Sequence, residues 1–265
     1  MNEKKLTKKE IYAKYGIEYD TKKQQILTPY GYKRPLLVDG NAKIGKGVYH
    51  FSTLPGTQIF SVVINGQSYD VKGTCKCDCV GCYAKTGNYR YQSVKNSLGM
   101  KTLLIREHLD FVKRAIMAQI EANDIKTVRI HASGDFDSAA YVAMWIEIVK
   151  AFPAVTFWTY TKVKSAESAF DSFPNANIVK SVIDGIGVNY GHIDYIESAY
   201  NKLSAENKTV HICRCGIDKN QHCTNCKGCA TNDYVLFVEH STEYKAEKEN
   251  GWQAFKAFVE SLKKA

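Results

Sequence analysis

The chain has 265 residues, of which 45% are hydrophobic and 24% are charged, and its formal net charge is +9. This composition is typical of a globular protein and excludes a disordered polar chain. No apolar run reaches the roughly 18 residues that a membrane span needs, and no apolar signal core follows the lysine-rich N-terminus. We therefore expect a cytoplasmic protein without a membrane partner. The excess of Lys and Arg (36) over Asp and Glu (27) permits an anionic partner such as nucleic acid.

The first third of the chain predicts an N-terminal extension and a hairpin. The extension covers residues 1–40 and carries a short amphipathic helix at Lys8–Lys14. Gly45–Gly47 predicts a turn that leads into a strand. The segment Gln58–Val71 predicts a β-hairpin, because Asn65-Gly66 between two strand-like runs is the strongest short-range signal for one.

Helix and strand patterns alternate through the rest of the chain. The predicted elements are a helix from Lys101 to Asn123, a strand at Thr127–Ala132, a helix at Ser138–Ala151, a strand at Val155–Tyr160, a helix near Ala166–Phe170, a strand at Ile178–Ile183, a helix at Asp194–Ser204, strands at Val210–Ile212 and Tyr234–Val238, and a C-terminal helix at Trp252–Leu262. Such alternation indicates βαβ units and a parallel sheet. We expect one α/β metal-cluster domain over 41–240 with a cysteine-rich insertion at 211–230, and a terminal helical segment at 241–265.

Four of the nine cysteines lie within eight residues, at Cys75, Cys77, Cys79 and Cys82. Clustered cysteines in a cytosolic chain favour metal binding over disulfides. Cys75, Cys79 and Cys82 have C-x3-C-x2-C spacing, and three thiolates can hold a four-iron cluster while one iron keeps an open position. Zinc is the alternative, with Cys77 as the fourth ligand of a closed site.

The other five cysteines form a second group near the C-terminus, and two histidines accompany them. The group is Cys213, Cys215, Cys223, Cys226 and Cys229, with His211 and His222. Cys223, Cys226 and Cys229 have the C-x2-C-x2-C spacing of ferredoxin-like loops. With Cys213 or Cys215 as the fourth ligand, the site suits either a second [4Fe-4S] cluster or zinc, and the histidines add zinc-compatible nitrogen ligands.

Two predicted strand ends carry candidate ligand-binding residues. Ser133, Gly134 and Asp135 follow one strand and Lys162 follows the next, and ligand sites in parallel α/β folds gather at carboxyl ends of strands. Gly134 allows close backbone approach, Asp135 offers a carboxylate, and Lys162 can bind an anion. For Gly134 and Asp135, the alternative is an ordinary turn in which Asp135 or Asp137 caps the next helix. For Lys162, it is an exposed lysine. His131 is a further candidate site residue, and its alternative is a hydrogen-bonded histidine of the core.

The first cysteine group resembles the cluster loop of the radical S-adenosylmethionine (radical SAM) superfamily. The resemblance implies that Cys75, Cys79 and Cys82 hold a [4Fe-4S] cluster, and that Gly134 and Asp135 contact the methionyl amine of S-adenosylmethionine (SAM). It also implies a partial (β/α) barrel of radical SAM type, here with a cysteine-rich C-terminal metal-binding insertion. Gly81 replaces the aromatic residue that usually precedes the last cysteine of this loop.

A second, broader resemblance covers roughly residues 41–240. The segments Gly45–Ser52, Cys82–Ala84, Val128–Phe136 and Phe157–Lys162 are similar to a phage and mobile-element family called gene product eighty-eight. This resemblance implies a phage or prophage origin, hence a place in the host cytoplasm, and it implies no particular chemistry.

Two functions compete on these grounds. The first is a radical SAM-type enzyme that generates a 5′-deoxyadenosyl radical and receives its electron from a donor such as flavodoxin or ferredoxin. The second is a non-catalytic nucleic-acid-binding protein stabilised by zinc or an iron–sulfur cluster, to which the positive charge would contribute. The sequence identifies neither a substrate nor a catalytic residue.

Overall fold

The protein is organised around a mixed sheet of eight strands, most of them parallel. It is seen in a computed structural model that describes residues 5–40, 44–76, 82–181, 190–191, 193–214, 221–238 and 248–262. The expected mixed α/β class is therefore confirmed. The predicted metal ligands Cys77, Cys79 and Cys215 lie outside the described residues.

The described strands and helices have the following bounds. The strands are β1 (Tyr19–Asp20), β2 (Gln25–Ile26), β3 (Val38–Asp39), β4 (Tyr49–His50), β5 (Ile59–Ile64), β6 (Gln67–Lys72), β7 (Thr127–Arg129), β8 (Thr156–Thr161), β9 (Ala176–Lys180), β10 (Tyr190–Gly191), β11 (Val210–Ile212) and β12 (Tyr234–Val238). The α-helices are α1 (Lys8–Lys14), α2 (Gln92–Glu107), α3 (Leu109–Ala122), α4 (Ala139–Ala151), α5 (Lys164–Glu167), α6 (Ile193–Ala205), α7 (Gly228–Thr231) and α8 (Lys248–Ser261).

The main sheet runs from β3 at one edge through β4, β7, β8 and β9 to β12, which also pairs with β10 and β11. Among the described strands of this sheet, β3–β4 is the one antiparallel pair. The path is open, and no barrel is seen in the described residues. The hairpin β5–β6 forms a separate two-stranded sheet, as does β1–β2.

The two faces of the main sheet are covered differently. Along β8, Phe157 packs into the main hydrophobic core, whereas Trp158 packs into a smaller cluster that includes Cys223 and Cys229. Alternate side chains of a strand point to opposite faces. We call the face that carries Trp158 and Tyr160 the cysteine face, because the second cysteine group covers it.

The main core lies on the opposite face, under α2, α3 and α4. Fully buried members include Phe51, Tyr141 and Trp145, whose rings contact one another. Side chains from the predicted N-terminal extension are part of this core, among them Tyr12 and Leu37. The extension is therefore packed against the main core.

Most predicted elements are confirmed, with boundary shifts that have local causes. Helix α1 has the predicted bounds, and Asn65 adopts the left-handed φ of +49° that the hairpin turn requires. The helix predicted from Lys101 begins nine residues earlier and is interrupted at His108, whose φ of −136° ends α2 and begins α3. None of the described helices is long and apolar enough to cross a membrane.

Candidate functional site

The first cysteine loop begins where the β5–β6 hairpin returns to the main sheet. The N–H of Thr74 donates to the Leu54 carbonyl at 2.9 Å, and that of Cys75 donates to the Gly56 carbonyl at 3.2 Å. At the far end of the loop, the carbonyl of Cys82 accepts from the N–H of Lys85. Cys75 and Cys82 are half-buried, and neither forms a disulfide.

Thr74 attaches the start of this loop to the carboxyl ends of β4 and β7. Its Oγ1 atom lies 2.9 Å from the Thr53 Oγ1 and accepts from the N–H of Asp135 at 3.0 Å. Gly134 passes so close that an added Cβ would lie 1.9 Å from the Thr53 Oγ1, and its φ is +80°. Ser133 donates its hydroxyl to the Thr53 carbonyl at 2.9 Å. The predicted residues Ser133, Gly134 and Asp135 are therefore grouped beside the loop entrance.

The Asp135 carboxylate joins the ends of β7 and β8. It accepts from the Thr161 hydroxyl at 2.7 Å, from the Lys162 N–H at 3.0 Å and from the Phe136 N–H at 2.8 Å. Burial raises the pKa of Asp135, and these three hydrogen bonds partly oppose that rise. A carboxylate has about four acceptor positions, so little capacity remains for a ligand amine. Lys162 is brought to the same place through its backbone.

Arg106 holds the same loop entrance from the other side. Its Nε and Nη2 atoms donate to the two carboxylate oxygens of Asp137 at 2.9 and 2.8 Å, and its Nη1 donates to the Lys72 carbonyl at 2.8 Å. The Lys76 Nζ donates to the Asp137 carbonyl at 2.8 Å. The cap of α4 comes from Ser138, whose side chain accepts from the Tyr141 N–H, so neither aspartate provides it.

His131 is a core residue. It is 3% exposed, its Nε2 lies 3.1 Å from the Tyr141 hydroxyl, and its Nδ1 lies 3.4 Å from the Thr159 hydroxyl. Burial lowers its pKa to about 3, so the ring stays neutral. The interpretation as a hydrogen-bonded core histidine is confirmed.

The second cysteine group lies against the cysteine face of the sheet. The Tyr160 hydroxyl is 2.6 Å from the Cys229 Sγ, and the Arg129 guanidinium lies 5.1 Å from the centre of the Tyr160 ring. Burial raises the pKa of the Cys229 thiol to about 12, and the neighbouring Cys223 and Cys226 add to the rise. Asn177 of β9 donates to the Cys229 carbonyl at 2.8 Å and fixes the backbone there.

His211 and Cys226 form a second close pair in this group. The His211 Nε2 lies 3.4 Å from the Cys226 Sγ. The imidazole fits against Gly228, where a Cβ would come within 2.2 Å of the ring. Cys213 follows β11 two residues after His211 and donates its N–H to the Leu236 carbonyl at 2.8 Å.

The structure thus assembles two groups, one at the first loop and one on the cysteine face. Within the described residues, no set of three or more Cys, His, Asp or Glu side chains is already arranged around a metal position. Sequence reasoning missed Thr53, Thr74, Arg106 and Tyr160. No local sequence pattern marks these four residues, because each contacts a motif that is distant along the chain.

Comparisons with known proteins identify a family. The family model described as "Gene product 88" matches residues 35–184. The chain is 30% identical over 141 residues to the Gene 88 protein of Mycobacterium phage D29, covering 49% of this chain and 56% of that protein. It is 29% identical over 126 residues to the Gene 88 protein of Mycobacterium phage L5, covering 39% of this chain and 50% of that protein. The chain thus spans about half the length of the curated relatives it matches.

The matched segment locates the family's common part within the fold. It contains the first cysteine loop and the ends of β7 and β8, and it stops before the second cysteine group, so it is shorter than the expected 41–240. No solved structure matches this chain, and the comparisons lend no support to the radical SAM resemblance. By the family model that covers more than half of its length, the chain belongs to the phage Gene product 88 family.

Proposed function

We propose that this phage-family protein is an iron–sulfur enzyme of radical SAM type, whose cluster is held by Cys75, Cys79 and Cys82. The observation that carries the proposal is the hydrogen bond from the Asp135 N–H to Thr74, the residue immediately before Cys75. It fixes the start of a three-thiolate loop to the carboxyl end of a parallel strand, which is where α/β folds bind ligands.

The order of the strands supports the same proposal. The cysteine loop follows β4 after the hairpin, and β7, β8 and β9 then come next to one another in both sequence and space. Because these strands are parallel, their carboxyl ends lie at one edge of the sheet. A partial barrel of radical SAM type has this succession of strands, so the finer fold assignment is proposed with the function.

The described residues of the first loop fit an iron–sulfur cluster chemically. Cys75 and Cys82 are partly exposed thiols, and soft thiolates select iron–sulfur clusters or zinc over hard cations. A bound [4Fe-4S] cluster with an open iron would supply the electron that cleaves SAM. The chain itself would hold the cluster loop through Thr74 and Arg106 and would exclude water by the packing below it.

The carboxyl ends of β7 and β8 would bind SAM mainly through the backbone and through side chains that position the strands. Gly134 brings the main chain close to the loop entrance, and Ser133 and Asp135 hold the ends of β4, β7 and β8 together. The Lys162 ammonium would provide positive charge for a carboxylate at this edge. Asp135 therefore acts first as a positioning residue, and a methionyl amine would add to a carboxylate that is already engaged.

Purification without oxygen, with measurement of iron, sulfide and zinc, tests the proposal. We expect about four iron atoms and four sulfides for the first loop, and an electron paramagnetic resonance signal of the reduced protein that changes when SAM is added. The variant Cys79→Ala should remove that signal, whereas the matched variant Cys77→Ala should retain it. Reduced flavodoxin should then support formation of 5′-deoxyadenosine.

A different result would favour the non-catalytic function. Zinc without sulfide in the first loop would exclude the enzyme, and the net charge of +9 would then favour a nucleic-acid-binding module. Such binding must weaken steeply with rising salt, because phosphate contacts release counterions. Affinity that does not depend on salt would eliminate the binding function.

A further inference from the structure

The cysteine face carries a second site that is independent of the proposed reaction. We propose that it is a single-ion zinc site formed by His211, Cys223, Cys226 and Cys229, with Tyr160 as a hydrogen-bonding support. This proposal decides between the cluster and zinc, and it replaces Cys213 with His211 in the ligand set.

The contact between His211 and Cys226 favours one ion over a cluster. With Zn–N near 2.1 Å and Zn–S near 2.3 Å, two ligand atoms of a tetrahedral zinc stand about 3.6 Å apart. The observed distance from the His211 Nε2 to the Cys226 Sγ is 3.4 Å. Ligands of a four-iron cluster bind different irons and stand farther apart, so this pair matches an edge of a zinc tetrahedron.

The other two thiols lie beside this pair. Cys223 and Cys229 both pack against the small apolar cluster formed by Ile44, Val48, Ala132 and Trp158. Cys223 and Cys226 flank one tight turn, closed by a hydrogen bond from the Cys226 N–H to the Cys223 carbonyl at 3.3 Å. Two cysteines separated by two residues are a common zinc-binding pair. These four side chains do not yet surround one metal position, so the proposal requires them to converge when zinc binds.

The strand pattern of β11 explains how His211 reaches the site. Val210 and Ile212 pack into a core beneath α6 and α8, so His211 points to the other face of the sheet. Gly228 leaves the room that the imidazole occupies, because a Cβ there would lie 2.2 Å from the ring. The ring therefore lies between Gly228 and the Cys226 thiol.

Tyr160 and Arg129 form the wall behind the thiols. The Tyr160 hydroxyl lies 2.6 Å from the Cys229 Sγ, and Arg129 stacks over the Tyr160 ring. Three thiolates and one zinc ion carry a net charge of −1, which a hydroxyl donor and a nearby guanidinium stabilise. Such outer contacts fix the orientation of metal ligands and typically change metal affinity by about 10- to 100-fold.

Metal analysis of Cys79→Ala protein tests the site without the first cluster. We expect about one zinc per chain and no iron, as a closed site of three thiolates and one imidazole requires. The variants Cys226→Ser and His211→Ala should lose the zinc. Cys213→Ser and His222→Asn, the neighbouring thiol and imidazole, should keep it. Tyr160→Phe should keep the zinc but bind it about tenfold more weakly in chelator competition.

Cobalt replacement tests the ligand set even if a variant fails to fold. In the Cys79→Ala protein, the thiolate-to-cobalt absorption should correspond to three sulfur ligands and one nitrogen in tetrahedral geometry. His211→Cys should retain cobalt and increase that absorption to the level of four thiolates. About four irons in Cys79→Ala protein would overturn the zinc assignment, and loss of zinc from Cys213→Ser but not His211→Ala would overturn the ligand set. Neither result depends on whether the first loop binds SAM.

Discussion

The Thr74 hydroxyl accepts a hydrogen bond from the backbone N–H of Asp135 at 3.0 Å, across 61 positions of the chain. The same hydroxyl donates to the Leu54 carbonyl at 3.1 Å. Thr74 and Asp135 are both buried. The first cysteine loop is therefore anchored by a side chain that carries no charge and lies outside any recognised motif.

Replacing Thr74 with valine should weaken this anchor while conserving shape. The Asp135 N–H would be left buried without its acceptor, at a cost of about 1–3 kcal/mol in the free energy of unfolding. Denaturant unfolding of the apoprotein measures that cost, and iron content after anaerobic reconstitution should fall with it. Thr156→Val, at an exposed position on β8, should change neither quantity. Equal stability of the Thr74 variant and the native chain would show that the anchor contributes nothing.

Gly134→Ala should be strongly destabilising for two separate reasons. The φ of +80° disfavours any L side chain, and the new Cβ would lie 1.9 Å from the Thr53 Oγ1 and 2.7 Å from the Thr74 Oγ1. Backbone strain alone costs about 1–2 kcal/mol. Gly47→Ala isolates that strain, because Gly47 has a φ of +85° and nothing within 4 Å of its added Cβ. We expect thermal unfolding to show a clearly larger loss for Gly134→Ala, and equal losses would mean that the close approach is unimportant.

Arg106→Lys should loosen the loop entrance although it keeps the charge. Lysine cannot reproduce the two parallel hydrogen bonds to Asp137 together with the contact to the Lys72 carbonyl. Amide hydrogen exchange in residues 72–76 should become faster. Exchange in helix α6, which packs against β11, β12 and α8, serves as the internal control and should stay unchanged. Unaltered exchange in both segments would exclude a role for Arg106 in holding the loop.

Features of the fold that have a local sequence signal could be predicted, whereas contacts between residues far apart along the chain could not. The βαβ alternation, the Asn65-Gly66 turn and the placement of Ser133, Gly134 and Asp135 at a strand end depend on local signals, and each agrees with the structure. The role of Thr74 depends on a partner 61 positions away, and no local pattern encodes that distance. The strands β1, β2, β3 and β10 were missed for a related reason, since two-residue pairings lack a periodicity.

The candidate site divides in the same way. Cysteine spacing predicted that Cys223, Cys226 and Cys229 belong together, because all three lie on one short segment. It could not predict that His211 touches Cys226 or that Tyr160 touches Cys229. Those contacts arise when β8 and β11 present one face to the segment, which is a property of the whole sheet.

The buried Lys101 gives a prediction about pH. Its side chain is 3% exposed, its Nζ donates to the Leu36 carbonyl at 2.7 Å, and burial, followed by the Arg34 charge, lowers its pKa from 10.5 to about 7. Between pH 7 and pH 10.5 the unfolded chain binds a proton at this lysine and the folded chain does not. Stability from this group therefore rises with pH in that window, by up to about 1.4 kcal/mol per pH unit.

Lys101→Met removes the titrating group and fills similar volume, so it should be more stable than the native chain near pH 7, with the advantage shrinking towards pH 10. Denaturant unfolding of both proteins from pH 7 to pH 10 measures the difference directly, and Lys126→Met, at an exposed lysine, controls for loss of charge. A stability difference that stays constant over this range would mean that Lys101 remains protonated in the folded protein.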